Sequence, residues 1–112
     1  MITAYATISD VRVDRTKVWI ELKVDGKYFP VHHQFNTAYL CDYSKIAFLL
    51  KTAKVKSVSA LTGKTVRVVD NEKSHNSLIA IGHPKRNRFI DLIKQDDFPV
   101  MEWRIYLRHR KK

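Results

Sequence analysis

The sequence predicts a small α+β fold: a mostly antiparallel sheet or OB-like barrel, in the order β-β-β-α-β-β, with an ambiguous basic C-terminal segment. Three observations carry this. Residues 2–13 alternate apolar and polar but change parity partway, as one strand with a bulge does. Asp25-Gly26 stands between two alternating runs, the signature of a hairpin turn. Residues 43–54 then change to a helical period.

In the first strand, Ile2, Ala4, Ala6 and Ile8 hold one parity, and Val11 and Val13 hold the other. The next two strands lie in "KVWIELKVDGKYFPVHHQF". A two-residue type I′ turn at Asp25-Gly26 would pair Val24 with Lys27, Leu22 with Phe29, Ile20 with Val31 and Val18 with His33. It would also set Lys17, Trp19, Tyr28 and His32 on the opposite face, Trp19 across from His32 and diagonal to Tyr28. His33 then closes an apolar inner face. Pro30, which lacks a ladder donor, belongs at an edge or a bulge.

In "YSKIAFLLKTAK", Ile46, Leu49, Leu50 and Ala53 fall at i, i+3, i+4 and i+7, with Lys45, Lys51 and Lys54 on the wetter side. Asp42 or Ser44 is suited to cap this helix. "SVSALTGK" reads as one short turn closed by Gly63, and "KTVRVV" as a strand with Val66 and Val68 on one face. "LIAIGHPKRNRFIDLI" gives a strand, a polar loop and a short strand over 89–92. Residues 1–95 form the expected domain and 96–112 a basic extension. Trp103, Ile105 and Leu107 alternate with polar neighbours and favour strand there, while Asp97 and Pro99 suit a helix start.

The 112 residues include 21 Lys and Arg against 11 Asp and Glu, a formal net charge of +10. The excess is one-sided. Residues 1–40 carry five basic and four acidic side chains, and residues 41–112 carry 16 and 7. A field of this sign concentrates polyanions and speeds their encounter, which makes nucleic acid or an acidic protein the expected partner. Apolar residues make up 45% of the chain, with Gly and Pro at three each, so it is not a low-complexity segment. No apolar run approaches the roughly 20 residues that span a bilayer, and no membrane association is expected. Met1-Ile2-Thr3-Ala4-Tyr5 lacks a charged start followed by an apolar stretch, so no secretory signal is expected. The single cysteine, Cys41, cannot form an internal disulfide, which fits a reducing cytoplasm.

No enzyme is expected. His32, His33, His75, His83 and His109 lack cysteine or carboxylate neighbours at metal-ligand spacing, so neither a metal nor a cofactor is expected. Cys41 reads as a lone buried thiol. The carboxylates are scattered, and no phosphate-cradling glycine loop occurs.

The candidate contacts are cationic and aromatic. His83-Pro84-Lys85-Arg86-Asn87-Arg88 interrupts two apolar strands with three cations in four residues, and it has no apolar side chain with which to pack. Lys85, Arg86 and Arg88 are therefore expected at phosphates, with His83 beside them in the nucleic-acid-binding set; base readout is not supported. Lys17, Trp19, Tyr28 and His32 form an aromatic face flanked by lysine, of the kind on which small barrels stack single-stranded bases. The plainer reading of Trp19 is a large aromatic covered by a neighbouring element. Arg108 and Arg110 give a second basic patch whose plainer role is solubility.

The segment "ALTGKTVRVV…LIAIGHPKRNRFIDL" resembles a family of small phage and prophage proteins of unassigned function. Their second half runs Leu-x-Gly-Lys, a strand, Ile-Gly-His, a basic loop and an aromatic-x-Asp. Leu61, Gly63, Lys64, Ile81, Gly82, His83, Phe89 and Asp91 match it, within a resemblance covering residues 44–92. It departs at Pro84, and at Phe89 where the pattern has tryptophan. The resemblance implies a phage-borne accessory protein and no chemistry.

Two functions are therefore expected from the sequence. One is a non-enzymatic binding module for nucleic acid, single-stranded or RNA. The other is an accessory protein that binds and modulates an acidic host protein. The sequence leaves oligomeric state open.

Overall fold

The computed structural model describes residues 3–71, 77–86, 88–93 and, for the backbone, 100–102. The elements are β1 (Thr3–Val13), β2 (Lys17–Val24), β3 (Val31–Asn36), α1 (Leu40–Ala53), a 3-10 turn (Ser59–Leu61), β4 (Thr65–Asp70), β5 (Leu78–Gly82), β6 (Arg88–Asp91) and β7 (Val100–Glu102). The strands form one antiparallel sheet ordered β3-β2-β1-β4-β5-β6-β7. Three hairpin-connected strands are followed by a fourth that returns, by way of α1, to lie beside the first. That spatial order, 4-1-2-3, is a Greek key. The fold is thus the small α+β, OB-like arrangement expected, its sheet curled into half a barrel. Among the described residues, no helix is long and apolar enough to cross a membrane.

β1 bends where its polarity changes parity. Its register with β2 shifts between Ile8 and Asp10, leaving Ser9 as the extra residue of a bulge. Ala6 and Ile8 point into the core before it, and Val11 is half-buried after it. The bend lets one strand pair with β2 along most of its length and with β4 over Thr3–Thr7. The inner face gathers Ile20 and Leu22 from β2, Val31 and Phe35 from β3, Val66 and Val68 from β4, Ile81 from β5 and Ile90 from β6. Ile46 and Leu49 of α1 close over it, with Leu61 of the 3-10 turn. Each such side chain contributes about 1.5–3 kcal/mol on burial.

The β2–β3 register differs from expectation by two residues. Leu22 pairs with Val31, Ile20 with His33, Glu21 with His32, Trp19 with Gln34 and Val18 with Phe35. Only Gly26 of the turn has positive φ, at 86°, whereas a type I′ turn needs Asp25 there too. The Lys27 N–H still closes the turn onto the Val24 carbonyl at 3.0 Å, but the chain then bends away. Pro30, which cannot donate, marks where the ladder resumes. Phe29, expected opposite Leu22, is 72% exposed in this loop. A two-residue shift keeps every face, so His33 lies on the inner side, its ring edge-on to Phe35 at 4.6 Å.

The helix also departs from expectation. It starts at Leu40 with Tyr39 as a cap that makes no side-chain hydrogen bond, so neither Asp42 nor Ser44 caps it. Instead Asp42 Oδ2 accepts the Asn36 N–H at 2.8 Å, tying the first helical turn to the end of β3. Lys45, expected on the wet side, is completely buried, with its Nζ 3.9 Å from Asp42 Oδ1. A carboxylate one turn away offsets part of the cost of burying that ammonium. Cys41 is buried in the same turn.

Candidate nucleic-acid interface

The polar loop between β5 and β6 is a constructed element rather than a loose hairpin tip. His83 Nδ1 accepts the N–H groups of Lys85 and Arg86, at 2.9 and 3.0 Å. Arg67, reaching from β4, donates Nε to the His83 carbonyl at 3.0 Å and an Nη to the Arg86 carbonyl at 2.6 Å. The backbone closes the base of the loop with His83 N–H on the Arg88 carbonyl, 2.9 Å. Two side chains thus hold four backbone groups, leaving the Lys85, Arg86 and Arg88 side chains outside the scaffold that shapes the loop.

Gly82 allows this closure because it faces Phe89 across the β5–β6 ladder. A β-carbon at that position would collide with the Phe89 ring and lie 2.6 Å from the Arg88 carbonyl oxygen. The Arg67 guanidinium lies over the same ring, 5.1 Å from its centre.

Because Nδ1 of His83 is an acceptor, the ring is neutral and carries its proton on Nε2. Partial burial, followed by the cations of Arg86, Lys54, Arg67 and Lys85, pushes its pKa below the usual histidine range. The imidazole therefore acts first as the fastener of the loop.

Opposite the loop runs one stripe of α1. Ser44, Ala47, Phe48, Lys51, Thr52 and Lys54 form one wall, and His83, Lys85, Arg86 and Arg88 the other, of a groove of about 540 Å³. Five Lys and Arg side chains line it, and no carboxylate does among the described residues. Phe48, partly buried against the core, gives the groove its aromatic surface.

Lys54 holds an unusual conformation. It ends α1 with φ 58°, the only positive φ among the described non-glycine residues. Its N–H reaches the Lys51 carbonyl while the Val55 N–H reaches that of Leu50, the paired bonds of a Schellman motif whose left-handed position usually carries glycine. Lysine there costs about 1 kcal/mol that glycine would not. Lys54→Gly is therefore expected to raise unfolding free energy by about 1 kcal/mol while removing one groove cation. Urea denaturation and oligonucleotide affinity, measured on the same variant, should move in opposite directions.

The expected aromatic face is arranged differently. Trp19 and His32 stack at 4.7 Å and 20°, as diagonal rather than directly opposed residues. Arg12, paired with Trp19 from β1, places its guanidinium 4.9 Å from the ring centre. Since β2 lies between β1 and β3, the indole is flanked by a cation on one side and an imidazole on the other. His32 Nε2 is 3.1 Å from Glu21 Oε2, and Ser9 at the bulge donates to Glu21 Oε1 at 2.7 Å. The Ser9 hydrogen bond, then that of His32, holds the Glu21 carboxyl below the usual range. Tyr28 does not join this cluster. It stands 94% exposed in the β2–β3 loop, edge-on to Phe29 at 5.0 Å. Lys17 is exposed at the start of β2, opposite Asn36.

The structure thus brings His83, Lys85, Arg86 and Arg88 into one groove, and none of Lys17, Trp19, Tyr28 and His32 lines it. Arg108 and Arg110 lie outside the described residues. The helical wall was not expected as part of a site. Its signal was the spacing of Ser44, Phe48, Lys51 and Thr52 on one stripe of a helix, but nothing local tells what that stripe faces. No family model matches this chain, and none of the curated proteins or solved structures matches it either.

Proposed function

We propose that the protein is a non-enzymatic nucleic-acid-binding protein whose contact surface is the groove between α1 and the β5–β6 loop. The observation that supports this is the convergence of Lys51, Lys54, Lys85, Arg86 and Arg88 on one groove lined by no described carboxylate. Cations clustered this way repel one another, a cost that an entering polyanion repays. The strained backbone of Lys54 adds to the argument. A residue kept where glycine is more stable belongs to the class of local strain that collects at binding sites. The four bonds from Arg67 and His83 hold the loop ready before any partner arrives, which lowers the ordering cost of binding.

Phosphate contact makes affinity fall linearly in log–log form with salt, with a slope near −0.7 per contact for a single strand. Two phosphates held between these cations give an expected slope of about −1.4. Fluorescence anisotropy of a labelled oligonucleotide, titrated at a series of potassium chloride concentrations, measures it. Binding without a salt slope, or none at low salt, would defeat the reading. An acidic protein partner would then become the better account of the same cations, since shape complementarity gives it a term that salt does not screen.

A further inference from the structure

We propose that the groove holds one unpaired nucleotide together with the two phosphates that flank it. This rests on the nucleic-acid reading above and names the unit that the site takes.

The dimensions come first. The lining runs along α1 from Ser44 to Lys54, which at 1.5 Å per residue is a groove wall of about 15 Å. Its volume of about 540 Å³ falls within the range of pockets that enclose small molecules. A nucleotide and its neighbouring phosphates fill such a space; a long tract of strand does not.

The chemistry of the walls fits the same unit. Cations stand on both sides, Lys51 and Lys54 on the helix and Lys85, Arg86 and Arg88 on the loop. Two phosphates on either side of one sugar therefore each find a partner wall. Among the described lining residues Phe48, beside Ala47, is the one hydrocarbon ring, the His83 imidazole being held by the backbone of its own loop. One ring supports one base. Ser44 and Thr52 add hydroxyls that can donate to or accept from a sugar or base edge.

Strand state follows from Phe48. It lies on the wall of a groove rather than on a convex surface, so a base reaches its face only when freed from its own stack. In a duplex that means unpairing, which costs a few kcal/mol. The groove therefore selects single strands through access, without reading sequence.

The test is competition by unlabelled oligothymidylates, from dinucleotide to dodecanucleotide, against a labelled strand, alongside an abasic strand and a hairpin duplex. Affinity per site is expected to level off by about three nucleotides, with the abasic strand and the duplex each weaker by about tenfold, the contribution of one base stack. Phe48→Leu keeps the packing against the core and removes the aromatic face. It is expected to lose the advantage of normal over abasic strands while its affinity for the abasic strand is unchanged. Affinity that climbs steadily to the dodecanucleotide, or equal binding of normal and abasic strands, would overturn the one-nucleotide site and leave phosphate binding standing. If no strand binds at all, both readings fall.

Discussion

Replacing Lys85, Arg86 and Arg88 together by serine is expected to lower affinity for a single-stranded oligonucleotide by about fivefold at 0.1 M salt, and to flatten the salt slope by about 0.7. The figure follows from counterion release: the loop wall partners one of the two phosphates, and losing that contact, at about 0.7, removes a factor of about five at that concentration. The substitution isolates the charge because the scaffold of the loop uses other atoms. His83 Nδ1 holds the backbone N–H groups of residues 85 and 86, and Arg67 holds the backbone carbonyls of residues 83 and 86. None of these bonds involves the replaced side chains. The melting temperature should therefore stay close to that of the parent protein. A variant that folds normally and binds with unchanged affinity would remove the loop from the interface.

Acid should destabilise the fold through His33. Burial, followed by the nearby Lys45 ammonium, lowers its pKa from 6.5 to about 4, with the Asp42 carboxylate partly opposing them. Between those two values the unfolded chain binds a proton that the folded chain refuses. His33's contribution to stability is therefore complete above pH 6.5 and is lost as the pH falls through 4. At 1.36 kcal/mol per unit, the loss is about 3 kcal/mol, a large part of the stability of a domain this size. The environment explains the sign. His33 sits on the inner face of β3 against Phe35, and the buried Lys45 leaves no room for a second cation. His33→Leu removes the titrating group and is expected to reduce the stability difference between pH 7 and pH 4 by about 3 kcal/mol, read from urea midpoints at both pH values. Identical pH dependence in parent and variant would show that His33 does not titrate in this way.

Much of the architecture was legible because it rests on local chemistry. The parity change in β1 announced its bulge, Gly63 closed the 3-10 turn with a φ of 88°, and the shift to helical period located α1. The β2–β3 faces were legible while their register was not. Asp25-Gly26 signalled a turn, but Pro30 and the bend at Tyr28-Phe29 determine where pairing resumes, and a two-residue slip keeps the apolar pattern intact. Burial of Lys45 was not legible either: its carboxylate partner Asp42 lies one turn away on the same helix, but that carboxylate is fixed by the Asn36 N–H, a geometry that exists only once β3 and α1 meet.

The candidate site divides along the same line. The cations of the β5–β6 loop stood out as a run in the sequence. The helix that faces them did not, since more than thirty residues separate Phe48 from His83 and no local rule joins them. Arg67 was equally hidden. An arginine in "KTVRVV" reads as the solvent-facing position of an alternating strand, and only the fold shows it holding two carbonyls of the loop. The OB-like class would place binding across the β2–β3 face. There the Trp19 ring is already flanked by Arg12 and His32, whereas the groove offers five cations lined by no described carboxylate.

The most direct test of the groove as the interface is the amide spectrum of the isotope-labelled protein titrated with a short single strand. Shifts are expected to concentrate on residues 44–54 and 83–88, with the amides of Arg12, Trp19 and His32 little affected. Shifts confined to the β2–β3 face, with the α1 stripe and the loop unmoved, would contradict the assignment and return the site to the tryptophan surface.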